Sequence, residues 1–163
     1  MFKVVILTIS DRGSKGERED SSGPAIQEMV KCLPGEVAHY EIIPDEKEQI
    51  IEALKKSADQ LKADLILTTG GTGMSPRDVT PDATREVISK EVPGFAEAMR
   101  AESLKKTPHA MISRAVSGIR GSSLIVNLPG SPKGVRENLN VILPALPHAL
   151  SKLKGDPSEC GQQ

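Results

Sequence analysis

A glycine-rich stretch from Thr68 to Thr84 holds the residues whose types and spacing could best do chemistry. It contains TTGGTG and, three residues later, RDVTP. Glycines let a backbone come close to a ligand, and consecutive backbone N–H groups can bind an anion. Arg77 could pair with a phosphate, and Asp78 could bind a metal ion. The stretch therefore predicts a phosphate-handling site, with a simple tight turn as the alternative.

The amino-acid sequence of this stretch excludes the two common phosphate-binding loops. A P-loop ends in Gly-Lys-Ser/Thr, and no such triplet follows these glycines. The dinucleotide-binding fingerprint begins at Gly71 and Gly73, but Pro76 stands where its last glycine should be. The stretch is therefore a different kind of strand–loop–helix site.

Asp45 and Asp78 are the candidate catalytic and metal-binding residues. Each follows the end of a predicted strand, so both could point into one crevice. Mg²⁺ typically takes one or two carboxylates together with substrate phosphates, and a carboxylate pair beside an anion-binding loop suits it. The competing interpretations are a helix N-cap for Asp45, and a turn residue or a partner of Arg77 for Asp78. Asp82 is expected to start a helix rather than bind a ligand.

Other polar residues at predicted strand ends are candidates for binding substrate or nucleotide. Asp11, Arg12 and Asp20 lie on a long first loop, where plain surface charge is the competing interpretation. Ser131 and Lys133 lie at a helix start, where an anion is favoured. The full set of binding candidates is Ser10, Asp11, Thr69, Gly70, Gly71, Thr72, Gly73, Pro129, Gly130, Ser131 and Lys133.

Several other chemistries are poorly supported. The histidines, His39, His109 and His148, do not cluster with carboxylates or cysteines at ligand spacing, so a zinc site is not expected. No G-x-S-x-G elbow is present, and Cys32 has no catalytic setting, which argues against acyl transfer.

Composition excludes two classes of partner. The 163 residues carry a net charge of −1, which gives no general affinity for nucleic acid or anionic membrane. Only 2% are aromatic and none is Trp, so the core must be aliphatic and base-stacking surfaces are not expected.

The location expected from the sequence is the cytoplasm. Cys32 and Cys160 are far apart and form neither a disulfide framework nor a metal motif. No signal-peptide pattern precedes the first strand, and no apolar run approaches the roughly 20 residues of a membrane helix.

Four apolar runs predict the buried strands that position these loops. They are Val4–Ile9, Glu36–Ile43, Asp64–Thr69 and Ser122–Leu128. Helical patterns separate them, and this alternation predicts an α/β fold with a mainly parallel sheet covered on both faces. Ligands in such folds bind at the carboxyl ends of the strands. The loops expected there are Ser10–Asp20, Pro44-Asp45, Gly70–Asp78 and Pro129–Lys133.

Capping signals predict where the helices begin. Pro24 opens the first helix, Asp45 is the expected N-cap of the second, and Thr80 that of the third with Pro81 at its first position. Further helices are expected over Phe95–Leu104, over Pro108–Val116, from Val135, and over Leu143–Leu153. Residues 1–154 are predicted to form one domain, and Gly155–Gln163 a flexible tail.

Taken together, several stretches resemble the MogA/MoaB family of molybdenum-cofactor proteins. They are TTGGTG at Thr68–Gly73, RDVTP at Arg77–Pro81, PGF at Pro93–Phe95, Ser113-Arg114, NLPGSP at Asn127–Pro132, TISDR at Thr8–Arg12 and IPDE at Ile43–Glu46. The resemblance spans Phe2 to about Leu153, and TTGGTG followed by RDVTP is a specific pairing. Within the family the chain looks closest to the MogA type, the molybdopterin adenylyltransferases.

The resemblance implies a fold, an activity and a mechanism. The implied fold is a three-layer α/β/α sandwich, the molybdopterin-binding domain, assembled as a homotrimer. The implied activity is Mg²⁺-dependent transfer of AMP from ATP to the terminal phosphate of molybdopterin. The acidic positions of the family fall on Asp45 and Asp78, which would hold Mg²⁺ on the ATP phosphates while the amides of Gly70–Gly73 cradle the same anion.

The remaining implications concern the substrate and the partners. The pterin and its dithiolene are expected on the loops Ser10–Asp20 and Pro129–Lys133. The product would pass by transient contact to a molybdate-insertion enzyme. The rival interpretations are a MoaB-like or gephyrin-like domain that binds molybdopterin without adenylating it, and a nucleotide hydrolase or sugar-nucleotide enzyme of the same architecture.

Overall fold

Runs of Val, Ile, Leu and Thr form the parallel centre of the sheet in the computed structural model, which describes residues 1–161. These strands are β1 (Phe2–Ile9), β2 (Gly35–Ile43), β3 (Leu65–Thr69) and, later in the chain, β6 (Ser123–Leu128). They lie in the order β2-β1-β3-β6, and every adjacent pair is parallel. The predicted α/β class and mainly parallel sheet are therefore confirmed.

Two short strands extend the sheet beyond β6. They are β4 (Lys90–Glu91) and β5 (Ser117–Arg120), and both pairings, β5 with β6 and β4 with β5, are antiparallel. Neither strand was predicted, because each is too short to show a period. The helix predicted over Pro108–Val116 is wrong beyond its first turn. A 3₁₀ turn occupies Pro108–Ile112, and the chain then extends towards β5.

Seven α-helices connect or flank the strands in the described part of the chain. They are α1 (Asp11–Ser14), α2 (Ser22–Met29), α3 (Lys47–Lys55), α4 (Thr80–Val87), α5 (Pro93–Leu104), α6 (Pro132–Ile142) and α7 (Leu146–Leu153). Three predicted helix starts are wrong. The helix expected from Pro24 is α2, which begins at Ser22, and α1 precedes it in the first loop. The N-cap of α3 is Glu46, because the carboxylate of Asp45 binds elsewhere, and Thr80 is the first residue of α4 after the N-cap Val79.

Alternation along the strands divides the buried residues into two clusters, one on each face of the sheet. In β1, Ile6 belongs to the cluster that includes residues of α2, α5, α6 and α7, whereas Leu7 belongs to the cluster that includes residues of α3 and α4. Buried strands with this period-2 pattern must be covered on both faces. The three-layer α/β/α arrangement is therefore confirmed, and its core is almost entirely aliphatic.

The predicted tail is only partly described. Residues Gly155 to Gly161 are exposed and follow α7 without helix or strand, and Gln162 and Gln163 lie outside the described residues. The flexibility of this tail stays a prediction. Among the described residues, no helix has the length and apolarity to cross a membrane.

Asn127 links the sheet to the helix layer and to the segment before β5. Its side chain is fully buried, and Oδ1 accepts a hydrogen bond from the Val116 amide at 3.1 Å. Its Nδ2 donates to the hydroxyls of Thr68 and Thr84, both at 3.0 Å. One amide thus joins β6, β3, α4 and the segment before β5.

Replacing Asn127 by alanine should lower the free energy of unfolding by about 2 kcal/mol or more, because the buried backbone N–H of Val116 loses its acceptor. Chemical denaturation measures this difference. Asn140→Ala, on the exposed side of α6, is the matched control and should change stability by less than about 0.5 kcal/mol. Equal effects of the two substitutions would contradict the linking role of Asn127.

Candidate active site

The carboxyl ends of the parallel strands meet in a cavity of about 360 Å³. Loops after β1, β2, β3 and β6 all contribute to it, as expected for a doubly covered parallel sheet. Its lining includes Ser10, Asp45, Thr69, Gly70, Gly71, Asp78, Gly130 and Ser131 among the predicted site residues, together with Arg18, Glu19, Asp20 and Ser22. We call this the first cavity.

Asp45 is held in the first cavity by a reciprocal pair of hydrogen bonds with Asp11. The Asp11 amide donates to Asp45 Oδ2 at 2.9 Å, and the Asp45 amide donates to Asp11 Oδ1 at 3.0 Å. Burial raises the pKa of the Asp45 carboxyl, and the negative charges of Asp11 and Asp78 add to this effect. A nearby cation would stabilise the charged form of this carboxylate, because its attraction offsets both the burial and the repulsion.

Asp78 enters the same cavity from the glycine-rich loop. Its Oδ2 accepts a hydrogen bond from the Ser75 amide at 3.0 Å, which closes a tight turn. The turn-forming interpretation of Asp78 is thus correct, but the residue also lines the first cavity beside Asp45. Both roles are compatible, since the second carboxylate oxygen takes no part in the turn.

Arg77 does not pair with Asp78. Its guanidinium binds both carboxylate oxygens of Asp11, at 3.0 and 2.9 Å, and donates to Glu46 at 2.8 Å. The Arg77 hydrogen bond is the main reason that the pKa of the Asp11 carboxyl lies below its usual value. Arg77 therefore acts on the site through Asp11, which in turn holds Asp45.

The glycine-rich loop is packed tightly against the strand ends. Gly70 and Gly71 both have positive φ, at 99° and 66°, and a Cβ on Gly70 would collide with the carbonyl oxygen of Ile9. Only glycine adopts this backbone at so close an approach without strain. The Gly70 amide donates to the Leu128 carbonyl at 3.2 Å, so it is not free for an anion as predicted. Within residues 1–161, the amides of Gly71, Thr72 and Gly73 have no hydrogen-bond partner.

Arg114 clamps the far end of this loop. Its Nε donates to the Gly73 carbonyl at 2.8 Å and its Nη2 to the Asp78 carbonyl at 2.6 Å, while its amide donates to the Thr72 carbonyl at 2.8 Å. The guanidinium also pairs with Asp82 and thereby lowers the pKa of that carboxyl. Asp82 is thus a helix-start residue with a structural partner, in line with its predicted role.

A second cavity of about 400 Å³ lies on the other side of the glycine-rich loop. Five predicted binding residues line it, namely Thr72, Gly73, Pro129, Ser131 and Lys133. Sequence reasoning missed most of the rest, which includes Met99, Arg100, Ser103, His109, Ser113 and Asn127. The local signals for them were the Ser113-Arg114 pair and the NLPGSP motif, which begins at Asn127. The others reach the site on α5 and the following 3₁₀ turn through tertiary packing.

Of the residues predicted to act at the site, Asp11, Arg12 and Arg77 lie outside both cavity linings, and Asp11 lies at the rim beside Asp45. Two others use their hydroxyls to join loops. Thr69 donates to the Pro129 carbonyl at 2.7 Å, and Ser131 caps α6 by accepting from the Gly134 amide at 3.0 Å. Ser131 lines both cavities, so the two spaces meet at this residue.

Asp20 organises the outer wall of the first cavity. Its carboxylate accepts hydrogen bonds from the Thr8 hydroxyl at 2.7 Å, from the Ser22 amide at 3.0 Å and from the Tyr40 hydroxyl. Asp20 was predicted to be either a substrate contact or a surface charge. It is neither of these alone, because it joins β1, β2 and the start of α2.

Thr80 is the one buried side chain of the described residues whose polar atom has no hydrogen-bond partner. Its amide donates to the Gly71 carbonyl at 3.2 Å, but its Oγ1 is unsatisfied. A Cβ placed on Gly71 would collide with that oxygen and would lie 3.1 Å from Asp45 Oδ1. The Thr80 hydroxyl and an oxygen of Asp45 therefore face the same side of Gly71.

The donor groups of the first cavity fit Mg²⁺ bound together with a phosphate ligand. Asp45 and Asp78 supply two carboxylates, and within residues 1–161 no group of three or more His, Cys, Asp and Glu side chains forms a complete metal cage. Mg²⁺ usually keeps waters and substrate oxygens and needs only one or two protein carboxylates.

The sequence of this chain is similar to those of known proteins. Residues 5–148 match the family described as "Probable molybdopterin binding domain". The molybdopterin adenylyltransferase of Helicobacter pylori is 48% identical over 153 residues, which cover 93% of this chain and 87% of that protein. The Escherichia coli protein of the same name is 44% identical over 141 residues, covering 85% and 72% of the two chains.

Solved structures agree with the sequence comparison. The structure of the molybdopterin biosynthesis enzyme MoaB from Thermus thermophilus superimposes with a TM-score of 0.91 at 56% identity. The match covers 98% of this chain and 100% of that one.

The lone tyrosine of the chain offers a direct measurement of the Asp20 network. Burial, and then the Asp20 hydrogen bond and charge, raise the pKa of Tyr40 from 10.0 to about 12. Because the neutral phenol is the favoured form in the fold, its contribution to stability is present below pH 10 and is lost as the pH rises towards 12. Phenolate absorbance after a rapid pH jump should therefore give a midpoint near 12 in the folded protein. Asp20→Asn should lower that midpoint, and equal midpoints would refute the network.

Substitution of Gly71 by alanine should destabilise the protein more than the same substitution at Gly121, which serves as the control. Both have positive φ, at 66° and 57°, but a Cβ on Gly121 meets nothing within 4 Å. Gly121→Ala should cost about 1 to 2 kcal/mol of unfolding free energy from backbone strain alone. Gly71→Ala should cost about 1 to 3 kcal/mol more, because it also collides with Thr80. Chemical denaturation compares the two, and equal costs would contradict the packing described here.

Proposed function

The chain belongs to the probable molybdopterin binding domain family, and on that premise we propose that it is a molybdopterin adenylyltransferase, a nucleotidyltransferase of molybdenum cofactor biosynthesis. It transfers AMP from ATP to the terminal phosphate of molybdopterin and releases pyrophosphate. The observation that carries the proposal is the pair of cavities on either side of the glycine-rich loop, which meet at Ser131, with Asp45 and Asp78 lining the first. Two adjoining spaces suit a reaction that joins two phosphorylated substrates.

The first cavity is proposed as the ATP site. Its carboxylates, Asp45 and Asp78 among them, would repel a bare triphosphate, so the nucleotide must enter with a divalent cation. Mg²⁺, when bound, would neutralise the phosphates and the charge that develops on the leaving pyrophosphate. The unpartnered amide of Gly71, which lines this cavity, supports binding of the same anion from the loop side, whereas Thr72 and Gly73 line the second cavity.

The second cavity is proposed as the molybdopterin site. Arg100, His109 and Lys133 bring cationic or titratable groups there, and Met99 provides apolar surface for a flat pterin. This allocation moves the pterin away from the loop Ser10–Asp20, which lines only the first cavity. The loop Pro129–Lys133 keeps its predicted part, since Pro129, Ser131 and Lys133 line the second cavity.

The transfer step needs position and charge stabilisation more than proton transfer. An oxygen of the molybdopterin phosphate attacks the α-phosphorus of ATP, a new P–O bond forms, and the bond between the α-phosphorus and the bridging oxygen breaks. A phosphate monoester is largely dianionic at pH 7, so no general base has to activate it. Fixed geometry across the glycine-rich loop then supplies much of the rate enhancement.

A second candidate is a protein that binds molybdopterin without adenylating it. It is considered because a structure named MoaB is 56% identical to this chain, although the relatives named molybdopterin adenylyltransferase do not favour it. The adenylyltransferase is preferred because Asp45 and Asp78 are both present and share one cavity, an arrangement that mere binding of molybdopterin does not require.

Three finer features belong to the same proposal. The protein acts as a homotrimer in the cytoplasm and passes its product to a molybdate-insertion enzyme. Support for an assembly comes from the exposed apolar side chains Leu104, Met111 and Ile112, which lie in or beside the segment that borders the second cavity. A neighbouring subunit would remove this surface from water.

The decisive experiment incubates the protein with molybdopterin, ATP and Mg²⁺ and detects adenylyl-molybdopterin by mass spectrometry. Asp45→Asn and Asp78→Asn should each lower the rate by about 100-fold or more, because charge stabilisation is lost. Calorimetry should show that both variants still bind molybdopterin.

Asp156→Asn is the matched control, since Asp156 is an exposed carboxylate beyond α7, and it should keep the rate of the unmodified protein. Tight molybdopterin binding by the unmodified protein without any product would reject the enzyme and support the binding protein.

A further inference from the structure

The buried hydroxyl of Thr80 is unusual because every other hydrogen-bonding group of that residue has a partner. The amide donates to the Gly71 carbonyl at 3.2 Å, and the carbonyl accepts from the Thr84 hydroxyl at 2.8 Å. Only Oγ1 is unsatisfied, although the residue is 0% exposed. Buried polar groups in native proteins are almost always hydrogen-bonded, and an exception calls for an explanation.

The position of this hydroxyl points to the explanation. Thr80 Oγ1 and Asp45 Oδ1 face the same side of Gly71, where any Cβ would collide with the hydroxyl. The other oxygen of Asp45, Oδ2, already accepts the Asp11 amide. Oδ1 is therefore the oxygen of Asp45 that is left for a ligand, and both Oδ1 and the threonine hydroxyl border the space that a Gly71 side chain would occupy.

Resting on the function proposed above, we propose that Thr80 is a positioning residue for the metal–nucleotide site. When a divalent cation and ATP are bound, the Thr80 hydroxyl donates a hydrogen bond to the Asp45 carboxylate or to a water held on the cation. This bond fixes the orientation of Asp45. Groups that support metal ligands in this way typically change metal affinity by about 10- to 100-fold when they are removed.

A glycine at position 71 is part of the same arrangement. Its missing side chain leaves open the space that Thr80 Oγ1 and Asp45 Oδ1 both border. The backbone hydrogen bond from Thr80 to Gly71 joins the start of α4 to the glycines of the loop. The backbone of Thr80 is thus held in place before the ligand arrives, which limits the ordering that binding requires.

The proposal predicts that Thr80→Val affects ligand binding but does not lower the stability of the ligand-free protein. In the ligand-free protein, Thr80→Val removes an unsatisfied polar atom and keeps the shape, so its denaturation midpoint should equal or exceed that of the unmodified protein. Thr84→Val is the matched comparison in the same helix. Its hydroxyl is equally buried but donates to Thr80 and accepts from Asn127, so this change should lower the midpoint.

Binding is measured without turnover. Mn²⁺ replaces Mg²⁺ as a paramagnetic probe, and α,β-methylene-ATP replaces ATP, because its bridging carbon prevents transfer. Thr80→Val should weaken Mn²⁺ binding in the ternary complex by about tenfold or more, whereas Thr80→Ser, which keeps the hydroxyl, should stay within about threefold of the unmodified protein. Binding of the analogue without any divalent cation should be equally weak for all three proteins.

Each outcome decides the question. Unchanged Mn²⁺ affinity in Thr80→Val would overturn the proposal. Failure of Thr80→Val to fold would overturn it as well, because it would show that the free protein already uses the hydroxyl. A further outcome is that the unmodified protein binds Mn²⁺ and the analogue as expected and yet forms no adenylyl-molybdopterin when it is given ATP and molybdopterin. In that case the proposed adenylylation fails while the role of Thr80 stands.

Discussion

The conformation of the glycine-rich loop is the constraint on which the rest of the site depends. Its near end is fixed to β6 by the bond from the Gly70 amide to the Leu128 carbonyl, and its far end is clamped by Arg114. The close approach of Gly70 to the Ile9 carbonyl leaves no room for a side chain. Because the loop lies this low over the strand ends, two separate cavities form on either side of it instead of one broad groove.

The negative charge of the first cavity follows from the position of the glycine-rich loop. The loop brings Asp78 into the cavity that already contains Asp45, and burial together with mutual repulsion raises the pKa of Asp45. Arg77 compensates only at the rim, where it binds Asp11 and Glu46. The interior of the first cavity thus keeps an excess of negative charge, and a cation brought by the nucleotide is the natural means of neutralising it.

Positioning residues and reacting groups come from distant parts of the chain. Arg114 follows α5 and its 3₁₀ turn, yet it sets the backbone of Gly73 and Asp78. Asn127 connects β6 to Thr84 of α4, and Thr84 in turn binds the carbonyl of Thr80. These links run through buried hydrogen bonds, whose loss is costly in a low-dielectric interior. The helix layer and the sheet therefore hold the loop from both sides.

Much of this protein is determined by local sequence. Apolar β-branched runs specify β1, β3 and β6, and helical spacing specifies the helices between them. Parallel connection then brings the strand ends, with Asp45 and Asp78, to one edge. Glycines and hydroxyls in TTGGTG specify a close backbone approach, and RDVTP specifies a helix start. Each of these features has a period or a turn signal that a few neighbouring residues carry.

Tertiary structure alone decided the remaining features. The strands β4 and β5 exist because β6 offers an edge, and their few residues show no period of their own. Arg77 binds Asp11 rather than Asp78, the Gly70 amide binds Leu128, and Arg114 reaches the loop across more than 30 positions of sequence. The second cavity and the unsatisfied hydroxyl of Thr80 are likewise products of packing. A hydrogen bond between distant residues depends on how the layers meet, and no local pattern in the chain encodes that distance.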